Sequence, residues 1–274
     1  MRRMIVLLIV VTLLGACRAG AGVEPVGDDP AEAAELVEQG KALLEQDRCQ
    51  AAIEPLERAA KLQPGSPEAY LALGNAYTRI GRVSDAIEAY QKALEADEQF
   101  AAAHTNLGAA YLRQIDSAAG SDKVADQVQR AMAAFRTALE LEPGDPETHA
   151  NLGSALLQAS QMPQAREEFE EALRLNPNLA EARVGLGYLY LLTGQAQEAV
   201  RELERAAELA GDMPEAQFAL GIAYAQTNQL DKAVAAFEAF LAIEIPTECA
   251  GDVAAAAEAR EQAAALLEQL RGPQ

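Results

Sequence analysis

The sequence predicts an all-α protein in which paired helices stack side by side, and three observations predict it. Gly recurs at Gly40, Gly74, Gly108, Gly153, Gly187 and Gly221, at intervals of 34, 34, 45, 34 and 34 residues. A period of that size marks a repeat architecture. Half of the 274 residues are apolar but only 5% are aromatic and none is Trp, so Ala and Leu must supply most of the core. Finally, Ser66-Pro67-Glu68 and Asp145-Pro146-Glu147 each combine an N-cap residue, a Pro at the first helical position and an acid in the first turn.

The chain opens with a segment unlike the rest. Arg2 and Arg3 precede the apolar run from Ile5 to Leu14, and Gly15, Ala16 and Cys17 follow. A basic start, a short apolar core and small residues at its end describe an export signal. A helix from Ile5 to Ala16 would be roughly 18 Å long, against a hydrocarbon core of ~30 Å, too short to serve as a permanent anchor. Leu14-Gly15-Ala16-Cys17 resembles the bacterial lipobox. That resemblance implies removal of residues 1–16 and attachment of diacylglycerol to the sulfur of Cys17. Several acyl chains on one Cys hold a protein at a membrane stably. Residue 18 is Arg and not Asp; in an organism with two membranes this implies the periplasmic face of the outer one. Residues 17–32, rich in Gly and Pro up to Pro30, then read as the lipidated Cys and a flexible tether.

Beyond the tether a five-residue signature recurs in register. Leu-Gly-x-x-Tyr appears at Leu73–Tyr77, Leu107–Tyr111, Leu186–Tyr190 and Leu220–Tyr224. Twelve residues after the Gly stands an Ala (Ala52, Ala86, Ala165, Ala199, Ala233), and four further on a large side chain (Leu56, Tyr90, Phe169, Leu203, Phe237). A second Ala follows in most copies, at 59, 93, 172 and 206, but the sixth copy has Phe240 there. This pattern resembles the tetratricopeptide repeat, whose 34-residue unit is helix–turn–helix. The resemblance implies a right-handed α-solenoid of six units over residues 33–247: 33–66, 67–100, 101–145, 146–179, 180–213 and 214–247. Residues 248–274 contain an amphipathic stretch with Ala256, Ala259, Ala263, Leu266, Leu267 and Leu270 on one side, the expected cap of the last unit.

The third unit carries eleven additional residues between Tyr111 and Ala131. Eleven residues are about three helical turns and disturb the helical phase by only ~20°. The expectation is therefore a second helix that starts near Asp122 and projects three turns beyond its neighbours, with Val124 and Val128 continuing the stripe of Phe135 and Leu139.

No catalytic constellation is legible: there is no phosphate-binding loop, no dinucleotide fingerprint and no nucleophile elbow. His104 and His149, the only two His, occupy a repeat position that packs, and no metal or cofactor is expected. The acids at helix starts (Glu68, Glu147, Glu181, Glu215) are accounted for by the helix dipole. A net charge of −20 argues against nucleic acid as a partner, and nothing indicates a small-molecule substrate. Cys49 and Cys249 lie in the first unit and beyond the sixth. In an extended stack they should be held farther apart than the ~7 Å that a disulfide tolerates, and so remain unpaired thiols.

Recognition remains. In tetratricopeptide proteins the first helices of successive units line a concave groove that takes protein or peptide partners. Mapped onto this chain, the resemblance places Asn75, Arg79, Asn106, Arg113, Asn151 and Gln158 in its middle. Towards the C-terminal end it places Val184, Tyr188, Leu191, Leu192, Phe218 and Ile222. Relatives that capture a terminal carboxylate need basic residues where this chain has Leu71 and Glu147, which disfavours that mode. Six units behind a lipobox resemble the lipoproteins of pilus biogenesis that escort an outer-membrane secretin. The expectation is a non-enzymatic, lipid-anchored scaffold in the bacterial envelope. The alternatives are an adaptor for cell-wall hydrolases or proteases, a soluble secreted carrier, or an unrecognised enzyme.

Overall fold

The computed structural model describes residues 30–115, 121–211, 213–243, 249 and 253–271, among which there are thirteen helices and no strand. The expected export signal, Cys17 and the expected tether up to residue 29 lie outside the described residues. The chain forms six helical pairs: α1 (Pro30–Glu45) with α2 (Cys49–Leu62), α3 (Pro67–Arg79) with α4 (Val83–Ala96), and α5 (Ala101–Arg113) with α6 (Ser121–Leu141). Then come α7 (Pro146–Gln158) with α8 (Met162–Leu175), α9 (Ala180–Leu192) with α10 (Ala196–Leu209), and α11 (Pro214–Gln226) with α12 (Leu230–Ala242). A last helix, α13 (Val253–Arg271), packs on α12. Because α1 begins at Pro30, the last three residues of the expected tether are helical.

Local chemistry sets the helix ends. Ser66 Oγ accepts the Ala69 N–H at 3.2 Å and Asp145 Oδ2 accepts that of Thr148 at 3.1 Å, so both N-caps form. Within most pairs the turn is a Schellman motif around one left-handed residue: Asp47, Gly81, Ser160, Gly194 or Asn228. The following N–H reaches back across the turn, as from Arg48 to the Leu43 carbonyl and from Gln195 to that of Tyr190.

The recurring Gly sets the distance between the two helices of a pair. A Cβ built on Gly40, Gly74, Gly108, Gly153, Gly187 or Gly221 would fall 2.4–2.7 Å from the large residue of its partner helix. Those partners are Leu56, Tyr90, Phe135, Phe169, Leu203 and Phe237, none more than 2% exposed. In the sixth pair no further repeat follows, and Phe240 takes the place of the usual Ala. With Phe237 it forms a cluster that buries Ala263 and Leu267 of α13. Arg260 of α13 donates to the carbonyls of Leu241 (2.5 Å) and Ile243 (3.1 Å), closing the exposed end of α12.

The third unit does extend its second helix, by two turns and not three. α6 has 21 residues against 14 in α2, α4, α8 and α10. Seven of the eleven extra residues therefore lengthen the helix and the other four fall in the connection 114–120, where residues 116–120 lie outside the described set. Val128 is buried and Val124 packs against the same cluster, so the apolar stripe holds the extra turns down.

The expectation for the cysteines is overturned. Cys49 and Cys249 form a disulfide with their Cα atoms 5.5 Å apart. Cys49 is fully buried and Cys249 packs against the core of the first two units. Six peptide steps from Ile243 to Cys249 reach at most about 20 Å, so the end of α12 must come round close to α2. The stack is curved strongly enough to bring its tail back to its head. Position along the chain measures the wrong distance, because every added unit also adds rotation.

Two outcomes test this packing. Gly153→Ala should destabilise the chain by about 1–3 kcal/mol in urea unfolding, because a methyl there overpacks against Phe169; Gly144→Ala, with nothing near its Cβ, should change stability by less than about 0.5 kcal/mol. Cys249→Ser should raise the radius of gyration in small-angle scattering and cost about 2–5 kcal/mol of stability. An unchanged radius would mean that the units hold the curvature unaided.

Candidate functional site

The first helices line the inside of the curve. Each of α1, α3, α5, α7 and α9 touches the next first helix, whereas the second helices make no comparable contact with one another. The concave face carries two cavities of opposite chemistry.

The first, of about 510 Å³, lies among α1, α3, α4 and α5. Lys41, Arg79 and Arg113 line it against one carboxylate, that of Glu45. Its floor is a hydrogen-bonded set in which Asn75 Oδ1 accepts from Tyr90 Oη (2.8 Å) and from Asn106 Nδ2 (2.8 Å). The Thr78 hydroxyl lies 3.0 Å from that of Tyr90. With two donors on it the Asn75 oxygen is saturated, which fixes the amide orientation. Arg79 is already committed: it donates to the Leu44 carbonyl and to Asp47 Oδ1, both at 2.5 Å. That clips α3 to the turn of the first unit. Arg113 is exposed and has no ion pair among the described residues.

The second cavity, of about 390 Å³, lies among α7, α9 and α11 and is apolar. Leu157, Tyr188, Leu191, Leu192 and Ile222 form it, with Gln158 and Gln226 beside them. Leu192 is 64% exposed and joins Leu157, Leu191 and Ile222 in one contiguous apolar lining, the arrangement that marks a partner site. Tyr188 is largely buried, and that burial, with the charge of Glu215 adding to it, pushes its phenol up to about 12.

The residues expected in the groove divide into four groups. Asn75, Arg79, Asn106 and Arg113 line the first cavity, and Gln158, Tyr188, Leu191, Leu192 and Ile222 line the second. Asn151 is half-buried on α7 and lines neither cavity. Val184 and Phe218 are corrections. Val184 is buried in the core between α9 and α10 with Val200 and Leu203. The Phe218 ring meets those of Phe237 (5.9 Å) and Phe240 (5.3 Å), so it belongs to the junction with α13. Sequence reasoning missed Lys41, although it holds in the first unit the ninth place that Asn75 holds in the second. It also missed Tyr90, whose hydroxyl reaches the groove from a second helix because Gly74 leaves the way open.

The two His do more than fill space. His104 Nε2 lies 3.0 Å from the Glu98 carbonyl and His149 Nε2 3.1 Å from that of Pro143. Arg183 and Gln217 hold the same place in the next two units and donate to the carbonyls of Pro177 (2.7 Å) and Gly211 (3.4 Å). Each clips the turn six residues before it. His149 Nδ1 and Arg183 also meet a carboxylate of the paired second helix, Glu168 at 2.6 Å and Glu202 at 2.7 Å. Among the described residues no cluster of His, Cys, Asp and Glu could hold a metal ion, and no helix is long and apolar enough to cross a membrane.

The tetratricopeptide repeat model matches residues 37–99, 79–146, 124–180, 150–214 and 184–246, which together cover residues 37–246. This chain belongs to the tetratricopeptide repeat family. Among proteins of curated function, none matches its sequence. The repeat stack is similar to a thermophilic tetratricopeptide protein of Thermus thermophilus, at 23% identity and a TM-score of 0.60, covering 76% of this chain and 99% of that one. It is similar to PilF of Pseudomonas aeruginosa at 22% identity and a TM-score of 0.60, covering 76% and 89%. It is also similar to PilW, a type IV pilus biogenesis factor, at 17% identity and a TM-score of 0.63, covering 75% and 90%. At these identities the likeness is one of fold.

The buried tyrosines give a pH test. Burial pushes the phenols of Tyr77 and Tyr90 up to about 12, with a hydrogen bond to the Glu57 carboxylate adding to the effect at Tyr77. Above pH 10 an unfolded chain releases these protons and the folded one keeps them. Stability should therefore be complete below pH 10 and fall as pH rises from 10 towards 12. Absorbance at the tyrosinate band should show a group of phenols titrating late, and a uniform titration near 10 would contradict their burial.

Proposed function

We propose that this tetratricopeptide protein is a non-enzymatic scaffold, held at the outer side of a bacterial membrane by lipid on Cys17, whose concave face receives a protein partner. The observation that carries the reading is the concave face itself. It offers an apolar cavity with an exposed leucine and a polar cavity with a cation to spare, on helices fixed by the Gly-centred packing. Export is supported by the Leu14–Cys17 motif and by the disulfide, since such bonds persist in oxidising compartments. Within that reading the favoured setting is assembly of an envelope machine of the pilus-secretin kind. The fold shared with PilF and PilW and the lipobox ahead of six repeats support it.

Fractionation of host cells tests both halves. The wild-type chain should sediment with membranes and Cys17→Ser should move to the soluble exported fraction. Leu192→Ser should stay on the membrane, remain folded and yet fail to support assembly of the secretin ring. Ring assembly that proceeds normally with Leu192→Ser would contradict a role for the concave face in that assembly. A Cys17→Ser chain that still sediments would contradict the anchor.

A further inference from the structure

The two cavities lie on one continuous face, and the chain's charge makes their difference informative. On a protein with 42 acids and 22 bases, the lining of the first cavity reverses the balance, with Lys41, Arg79 and Arg113 against Glu45. Arg79 is spent on Leu44 and Asp47, and Lys41 shares its charge with Glu38 at 2.8 Å. Arg113 stands beside a floor whose hydrogen bonds are already ordered. Arg113 lines the same cavity as Asn75, Tyr90 and Asn106, and its positive charge acts on the Tyr90 phenol against the raising effect of burial. The second cavity offers no charge of its own and an exposed leucine wall.

From these facts we infer that the groove takes one extended peptide segment with two unlike ends: carboxylate side chains seated at Arg113, and aliphatic or aromatic side chains seated against Tyr188, Leu191 and Leu192. The inference rests on the groove reading above and adds the chemistry of its occupant. An acidic end is selected because the net charge of the chain is −20 and disfavours acids on average, whereas this cavity presents a cation without an ion pair among the described residues. A guanidinium without an ion pair forms a charge-assisted hydrogen bond with a carboxylate, stronger than any it forms with a neutral polar side chain. An apolar end alone would bind any exposed hydrophobic segment; the charged end supplies the discrimination.

The geometry also fixes the length. The first cavity is centred between α3 and α5 and the second on α9, two to three units away. Successive first helices are in contact, so each step is about 8–10 Å and the cavities lie roughly 20–30 Å apart. An extended chain at about 3.3 Å per residue covers that span in roughly six to nine residues. The two contacts are then linked through a short connection, and the second forms at a high effective concentration.

The test uses the full mature chain and four fluorescein-labelled peptides read by anisotropy. One carries two Glu at one end and Leu-Phe at the other, separated by seven Gln and Thr residues. The second replaces Glu by Gln, the third replaces Leu-Phe by Ser, and the fourth shortens the spacer to two. The two-ended peptide should bind at least about tenfold more tightly than any of the other three, and salt should weaken it more than it weakens the Gln peptide. Arg113→Gln, at an exposed position, should bring the two-ended peptide down to the affinity of the Gln peptide and leave the Gln peptide unaffected. Equal binding of the Glu and Gln peptides, indifference to Arg113→Gln or indifference to spacer length would overturn the inference, as would no binding of any peptide. If Leu192→Ser weakens binding and Arg113→Gln does not, the groove stands and the two-ended occupant falls. If bound peptide responds to neither, the groove reading itself fails.

Discussion

One contact recurs six times and the rest of the structure depends on it: a glycine in the first helix of each pair receives the largest side chain of the second. No Cβ fits at Gly40, Gly74, Gly108, Gly153, Gly187 or Gly221 without moving a buried leucine, tyrosine or phenylalanine. The two helices therefore approach closely at that point. A pair of helices of 13 and 14 residues, as in α3 and α4, cannot bury enough surface to stand alone, so neighbours must stack. Stacking with the first helices inside produces the curve, and the curve produces both the groove and the meeting of Cys49 with Cys249.

The contact is legible in the sequence because it is local. Gly and its large partner are sixteen residues apart in five units and twenty-seven in the third, where the insertion intervenes. The N-caps at Ser66 and Asp145 are equally plain, since a cap is decided within four residues. The insertion is legible in kind, as helix, because Val124 and Val128 keep the apolar stripe. Its length is not, because the turn before it takes four of the eleven residues.

What is illegible depends on accumulated geometry or on alternatives that a period cannot separate. The small rotation between units leaves no mark in any one unit, and without it the two cysteines look remote. Val184 and Phe218 occupy nominal groove positions, yet the first is taken by α10 and the second by the aromatic rings of α12 at its junction with the cap. Position in a repeat says which side of a helix a residue is on, and not what lies across from it. His104 and His149 read as packing residues because an aromatic stands there in another unit. Their backbone-clipping role emerges only when Arg183 and Gln217 are seen making the same bond.

The disulfide gives the groove a fixed outline. Cys249 packs at the turn containing Asp47, and Asp47 holds Arg79, which lines the polar cavity. The tail of the solenoid thus braces the same turn that shapes one end of the groove. The apolar end is braced differently, by Phe218 and Ile222 packing into the α12–α13 cluster.

The most direct measurement is photo-crosslinking in the native host from two exposed positions on opposite sides of the curve. A crosslinker at position 192 lies on the concave face, and one at position 167 lies on the second helix α8, outside it. A partner seated in the groove should give a discrete protein adduct from 192 and none from 167. An adduct from 167 with 192 silent would mean that the partner meets the convex side, and that the glycine-built curve serves some other end.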